Sequence, residues 1–214
     1  LPNTYEGNWA IFPFLGQNKI LAGDLDHGLY ILDGSGLSAR PKNRVSDFDG
    51  DGKTDLSIFR SQTGDWELEN SSDHRGSSPH FGVAGDIMTP GDYDGDGKSE
   101  IAVFRPSNGV WYLSRSTTFV TVPFGVAGDI PVPGDYDADG KTDVAVWRPS
   151  NGGWYILRST LGFIGVQWGM PGDKPVAGDY DGDGKTDMAI WRPGNGVWYV
   201  LQSSSSIPLY WQFG

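Results

Sequence analysis

Four copies of one motif, spaced at nearly equal intervals, constrain the fold of this chain more than any other feature. The copies begin at Asp47, Asp92, Asp135 and Asp179, which lie 45, 43 and 44 residues apart. A motif that recurs at a fixed interval of this length is typical of proteins that stack one structural unit several times. The chain is therefore predicted to be an array of equivalent units.

Each copy alternates short β-rich segments with turn residues. In the last copy, segments 187–192 and 197–202 flank a Pro-Gly-Asn-Gly turn, and 209–213 is a further strand. The 32 glycines and 14 prolines interrupt every stretch long enough to form a helix. Four short antiparallel strands in a unit of this size are typical of a propeller blade. We predict an all-β fold, a β-propeller of four-stranded antiparallel blades.

The first 43 residues have the length of one further unit but lack the acidic motif. They contain strand-like segments, and residues 20–24 resemble residues 175–179. The alternative is an irregular extension that packs on one face. The sequence predicts five blades, with residues 1–43 packed as a degenerate blade between the first and fourth clear repeats. The predicted units, all in one propeller domain, are 1–43, 44–82, 83–125, 126–169 and 170–214.

The acidic motif at the start of each copy has the pattern D-x-D-x-D-G-x-x-D/E. Alternate side chains in a tight loop converge on one point, and a glycine at the sixth position permits the turn that brings in the seventh carbonyl. Such an all-oxygen cage suits calcium better than magnesium, zinc or copper. Simple turn formation is the alternative, but four loops in register favour four calcium ions. The predicted ligands, with each lysine contributing its backbone carbonyl, are Asp47, Asp49, Asp51, Lys53, Asp55; Asp92, Asp94, Asp96, Lys98, Glu100; Asp135, Asp137, Asp139, Lys141, Asp143; and Asp179, Asp181, Asp183, Lys185, Asp187.

The net charge of −11 comes from these motifs. They hold sixteen of the 27 acidic residues but only four of the 16 lysines and arginines, so the rest of the chain has 11 acidic residues against 12 basic ones. The acidity is therefore local and gives little support to nucleic-acid binding, which requires a clustered basic face. No apolar stretch is long enough for membrane insertion. The absence of cysteine excludes disulfides and thiolate zinc sites.

A second motif, an aromatic residue followed by glycine, recurs once per copy. It occurs at Phe81-Gly82, Phe124-Gly125 and Phe213-Gly214, with Trp168-Gly169 as a variant. With the acidic loops, it makes the chain resemble the FG-GAP, or integrin-like, β-propeller repeat and the VCBS-type repeats of bacterial secreted proteins. The chain differs where the family has Gly-Ala-Pro, since it has Phe-Arg-Pro or Trp-Arg-Pro in three copies. The resemblance implies that calcium stabilises the blades and that ligands bind on loops or between blades.

The recurring hairpin Arg-Pro-Ser/Gly-Asn-Gly-x-Trp-Tyr is a candidate ligand site. Aromatic faces beside amide and guanidinium donors can stack on a sugar ring and hydrogen-bond its hydroxyls. The alternative is that the tryptophans form the core and Asn-Gly only makes the turn. Asp86, Asp129 and Asp173 are predicted to cap turns. The candidate ligand residues are Arg105, Asn108, Trp111, Arg148, Asn151, Trp154, Arg192, Asn195 and Trp198.

These features favour a calcium-stabilised, non-catalytic adhesion module, secreted or on the cell surface. Its expected partner is a glycan, bound in the manner of a lectin, or a cell-surface protein. None of the three histidines recurs beside a nucleophile or acid partner, so catalysis has little support. The alternatives are a protein-adhesion or spacer module of a larger secreted protein and, with less support, a polysaccharide-active enzyme.

Overall fold

The computed structural model describes residues 46–115 and 118–213, together with the backbone of three strands in the first 33 residues. Those three strands are β1 (Trp9–Phe12), β2 (Lys19–Asp24) and β3 (Gly28–Asp33), which form an antiparallel sheet in the order β1-β2-β3. No helix in the described part of the chain has the length and hydrophobicity needed to span a membrane.

The four repeats form four antiparallel sheets, which we number as blades 1 to 4. In blades 2 to 4 the strands pair in sequence order, so each blade is a four-stranded meander. Blade 1 has three described strands, β4 (Leu56–Arg60), β5 (Asp65–Glu69) and β6 (Gly76–Ser77). Blade 2 comprises β7 (Ile87–Met88), β8 (Ile101–Arg105), β9 (Val110–Ser114) and β10 (Phe119–Pro123); blade 3 comprises β11 (Ile130–Pro131), β12 (Val144–Arg148), β13 (Gly153–Arg158) and β14 (Gly162–Gln167); blade 4 comprises β15 (Lys174–Pro175), β16 (Met188–Arg192), β17 (Val197–Leu201) and β18 (Pro208–Gln212).

The hairpin turn and the aromatic-glycine motif of a blade are packed against each other. In blade 2 the turn glycine Gly109 has a φ of 68°, and a Cβ atom there would collide with the carbonyl oxygen of Gly125. The Phe124 amide donates to the Gly109 carbonyl at 3.0 Å, and the indole N–H of Trp111 donates to the Phe124 carbonyl at 2.9 Å. The Asn-Gly turn and the Phe-Gly motif are thus two halves of one local structure.

The hydrophobic core lies between successive blades. The buried side chains of Phe104, Trp111 and Leu113, on one face of blade 2, pack against Val144 and Val146 of blade 3. The same arrangement joins blade 3 to blade 4 and blade 1 to blade 2. Alternate strand residues point to opposite faces, so blades 2 and 3 each contribute to two interfaces. This stacking confirms the all-β propeller with antiparallel blades.

The structure shows four blades rather than the five predicted. The N-terminal sheet has three strands, and residues 1–43 lack the acidic motif and the hairpin that build the other blades. Leu56 and Ile58 of blade 1 are 71% and 54% exposed, although the equivalent Val144 and Val146 of blade 3 are buried. The face that ring closure would cover is therefore open. The side chains of residues 1–45 lie outside the described residues, and the predicted unit boundaries stay a prediction.

Candidate metal sites and inter-blade grooves

Each acidic loop is held in shape by its own first and last carboxylates. In the first loop, Asp47 accepts hydrogen bonds from the amides of Gly50 and Gly52, at 2.8 and 2.9 Å. The last carboxylate, Asp55, accepts from the Phe48 amide at 2.6 Å. Equivalent bonds form at Asp92 and Glu100, at Asp135 and Asp143, and at Asp179 and Asp187.

The loops bring carboxylate oxygens together as metal coordination requires. In every loop, the acids at positions one, three and nine each place one oxygen within 4.8 Å of the others. The second loop adds its fifth-position acid, Asp96. The converging groups are Asp47, Asp49, Asp55; Asp92, Asp94, Asp96, Glu100; Asp135, Asp137, Asp143; and Asp179, Asp181, Asp187.

The fifth-position acids of the other three loops are outside these clusters and bond to hydroxyl groups. Ser71 Oγ donates to Asp51 at 3.0 Å, Ser203 Oγ donates to Asp183 at 2.8 Å, and Ser159 makes the same bond to Asp139. The amides of these three serines also donate to the ninth-position acids. Each serine lies 16 residues after the ninth-position acid, a spacing that aligning the repeats would have revealed.

Burial makes these acids costly to ionise without a cation. It raises the pKa of Glu100 to about 7 and that of Asp143 to about 6, with smaller contributions from neighbouring carboxylates. The same cause raises the pKa of Asp47, Asp92, Asp135 and Asp187.

One carboxylate oxygen in the third loop has the surroundings expected of a metal ligand. Asp137 Oδ1, an oxygen of a residue in the acidic cluster, is buried and accepts no hydrogen bond from any described residue. A buried carboxylate oxygen without a donor fits a metal ligand. Because all the candidate metal ligands in these loops are oxygen atoms, the residues fit calcium, as the sequence predicts. The ligand role of the carbonyls of Lys53, Lys98, Lys141 and Lys185 stays a prediction.

The three predicted arginine ligands hold the hairpins to the loop that precedes them. Arg148 makes two hydrogen bonds to the buried Asp129, at 2.8 and 2.9 Å, and lies 4.2 Å from the centre of the Tyr155 ring. Arg105 pairs with Asp86 over Tyr112, and Arg192 pairs with Asp173 over Tyr199. The three aspartates also accept turn amides, which confirms their capping role.

The predicted asparagine and tryptophan ligands also make internal contacts. Asn151 accepts the Gly153 amide in the turn and donates to the Tyr155 hydroxyl at 2.9 Å; Asn108 and Asn195 do the same in their hairpins. Trp111, Trp154 and Trp198 are buried, so their rings have no open face for a sugar in this structure. The ligand role of the nine hairpin residues stays a prediction, and each has a structural contact.

Exposed aromatic rings outside the predicted ligand residues lie near the junctions between blades, and at one junction they line a groove. The groove between blades 1 and 2 has a volume of about 250 Å³ and is lined by Phe81, Gly82, Val103, Arg105, Tyr112 and Phe119. Phe119 is 61% exposed, and its ring centre lies 6.0 Å from that of Phe81 and 6.1 Å from that of Tyr112.

Related aromatic groups recur at the next two junctions. Between blades 2 and 3, Phe163 is 60% exposed and lies 6.2 Å from Phe124, centre to centre. Between blades 3 and 4, the Trp168 indole donates to the Tyr199 carbonyl, and Tyr199 packs edge-on against Tyr210, which is 57% exposed. The last strand of each of blades 2 to 4 thus has an exposed aromatic ring near the junction with the preceding blade.

Stacked antiparallel blades with acidic loops, which in blades 2 to 4 lie between the first two strands, define a repeat propeller with candidate metal loops. The model of the FG-GAP-like repeat matches residues 47–103, 92–146 and 135–190, which together cover about two thirds of the chain. The chain therefore belongs to the FG-GAP-like repeat family, as the sequence resemblance indicates. No individual curated protein matches it. Propellers of this family are typically non-catalytic, and the repeats support a binding or adhesion-type module.

Proposed function

We propose that this protein is a calcium-stabilised adhesion module that binds neutral glycans in its inter-blade grooves, either outside the cell or at its surface. The observation that carries the proposal is the recurrence of exposed aromatic rings at successive blade junctions, with Phe119, Phe163 and Tyr210 each more than half exposed. Aromatic rings bind the apolar face of a sugar, and they carry a free-energy cost in water unless a ligand covers them.

The charge of the grooves favours a neutral ligand. The hairpin of each of blades 2 to 4 has one arginine, which lines the groove in the case of Arg105, but Asp86, Asp129 or Asp173 already neutralises it through two hydrogen bonds. Those ion pairs are partly or fully shielded from water, so an anionic sugar would have to compete with a buried carboxylate. We therefore expect uncharged sugars to bind better than sialylated or sulfated ones.

Three related aromatic groups near successive blade junctions of one chain suit a polymeric or surface-bound glycan. Linked binding at several sites raises apparent affinity by roughly 100-fold or more without improving a single contact. In this proposal the four calcium ions act indirectly, because the acidic loops and the grooves are different parts of the blade.

A glycan array tests the proposal with calcium-loaded protein and two variants that carry substitutions of exposed apolar residues. Phe119→Ala combined with Phe163→Ala should lower binding to the preferred glycan at least tenfold. Leu56→Ala, which removes a similarly exposed side chain outside the grooves, should bind as the native protein does. If the folded, calcium-loaded protein binds no glycan in a broad panel, its ligand is a protein or its role is structural. Release of reducing ends from a polysaccharide would instead indicate an enzyme.

A further inference from the structure

Each acidic loop is tied to the preceding one by the residue at its eighth position. The amide of Ser99, in the second loop, donates to the carbonyl of Asp47, the first acid of the first loop, at 2.6 Å. Thr142 and Thr186 make the same bond, also at 2.6 Å, to Asp92 and Asp135. The contact therefore repeats unchanged at all three junctions between the four loops.

Side chains reinforce this contact. The Asp47 amide donates to Ser99 Oγ at 3.0 Å, so the first acid is held through both its amide and its carbonyl. At the next junction, Thr142 packs so closely on Gly91 that a Cβ atom there would lie 2.5 Å from Thr142 Oγ1. Thr186 packs on Gly134 in the same way. At these two junctions only glycine leaves enough space before the first acid.

The seventh-position lysines make a second connection between loops. The side chain of Lys98 lies across Gly50 of the first loop, and that of Lys141 lies across Gly95 of the second. A Cβ atom at either glycine would lie about 3 Å from the lysine stem. At the first two junctions the consecutive loops are therefore in direct contact at two points.

The eighth residue lies between two ligands of its own site and holds a ligand of the neighbouring site. Ser99 stands between the predicted carbonyl ligand of Lys98 and the carboxylate of Glu100, while it positions Asp47 of the first site. A calcium ion that orders one loop thereby also orders part of the neighbouring loop. Binding of calcium to the neighbouring loop then costs less conformational entropy.

We infer that Ser99, Thr142 and Thr186 are positioning residues shared by adjacent calcium sites, and that calcium binds with positive cooperativity along the four loops. The inference rests on the calcium role proposed above. Because coupling is reciprocal, the two inner sites each depend on two neighbours and the two outer sites on one.

The chain provides a matched pair of variants for the test. Gly91 and Gly178 both precede the first acid of a loop, but only Gly91 is covered by a threonine of the next described loop. At Gly178, the atoms nearest to a Cβ position belong to Tyr180 of the same loop, with the closest at 3.4 Å. Gly91→Ala should push Thr142 away, whereas Gly178→Ala should fit with little adjustment.

The experiment measures calcium bound per chain by elemental analysis across a series of chelator-buffered free calcium concentrations. The native protein should bind four ions with a Hill coefficient above one. Gly91→Ala should still bind four ions at saturation, with a lower Hill coefficient and with half-saturation of the affected sites shifted about fivefold or more to higher calcium. Gly178→Ala should follow the native curve.

Three results would overturn the inference. The native protein could bind four ions with a Hill coefficient of one, the two alanine variants could change the calcium-binding curve equally, or Gly91→Ala could leave that curve unchanged. Fewer than two ions per chain would instead contradict the calcium proposal itself. Far-ultraviolet circular dichroism of each sample identifies any cooperativity that comes from folding of the whole chain. If Gly91→Ala does not fold, Thr142→Val and its matched control Thr54→Val replace the pair, and only Thr142→Val should lower the Hill coefficient.

Discussion

At the scale of single residues, Thr89 has a buried hydroxyl group that forms no hydrogen bond with any residue that the structure describes. The next two blades have Val132 and Val176 in the same place, as their equivalent backbone bonds to Ala145 and Ala189 show. Thr89→Val should therefore raise the free energy of unfolding by about 1 kcal/mol, because it removes an unpaired polar group at nearly constant volume. Thermal denaturation in saturating calcium measures the change. A lower melting temperature would show that the hydroxyl makes a favourable contact, for example with water.

Ala138 has a φ of 64°, whereas the fourth position of the other acidic loops is glycine. A side chain disfavours this left-handed conformation, so Ala138→Gly should stabilise the protein by roughly 0.5–1 kcal/mol. The reverse change, Gly182→Ala, is the matched control, since no atom lies within 4 Å of the added Cβ and only the backbone strain changes. Chemical denaturation should give opposite signs for the two variants; equal signs would contradict the argument.

The sequence predicts the metal residues better than it predicts the role of the hairpin residues. Asp47, Asp49 and Asp55 are constrained by spacing alone, because alternate residues of a tight loop must converge. Arg148 is different: the sequence shows a donor but does not show that Asp129, 19 residues earlier, is its partner. Pairing across a blade depends on strand register, because a shift of one residue would move every side chain of a strand to the opposite face of the sheet.

At the scale of elements, the ion pair that fixes the hairpin of blade 1 differs from the pair in blades 2 to 4. Arg148 pairs with the buried Asp129, whereas Arg60 of blade 1 pairs with Glu67 on the exposed face. Arg148→Ala should therefore lower the free energy of unfolding by roughly 2–4 kcal/mol, since it leaves a buried carboxylate unpaired. Arg60→Ala should cost less than about 1 kcal/mol. Denaturant titrations of both variants provide the comparison, and equal losses would contradict it.

The acidic loops should make the metal-free protein less stable as the pH rises. Burial raises the pKa of Glu100 to about 7 and that of Asp143 to about 6, against about 4 for both types of side chain when unfolded. A raised pKa in the folded state favours the protonated form, so the associated stability is present below about pH 4 and is lost between about pH 4 and pH 7.

In excess chelator, the melting temperature should fall between pH 5 and pH 7.5, and Glu100→Gln should reduce that fall. Calcium should reverse the trend, because its binding requires ionised carboxylates. A melting temperature that is constant or rises with pH in chelator would show that the carboxylates are not strained when ionised.

At the scale of the whole molecule, the repeat interval predicts the stacking of blades but not their number. The interval indicates one blade per 44 residues, and the strands and loops of blades 2 to 4 follow it closely. Closure depends instead on whether the face with Leu56 and Ile58 is covered, and that is a property of tertiary packing. Residues 1–43 share only a few positions with the repeat, so their sequence leaves the count open.

Removal of calcium should destabilise the entire stack, since consecutive loops contact one another at all three junctions between them. A ligand present at 100 times its dissociation constant adds about 2.7 kcal/mol per site. Loss of two such sites approaches the total stability of an ordinary domain, which is about 5–15 kcal/mol.

We expect excess chelator to lower the melting temperature by roughly 10 °C or more. Added calcium should restore it and magnesium at the same concentration should not, because the loops offer more oxygen ligands than magnesium accepts from protein. Differential scanning calorimetry with elemental analysis of the same samples tests this. An unchanged melting temperature in chelator would mean that the acidic loops keep their shape through the hydrogen bonds to Asp47 and its counterparts alone.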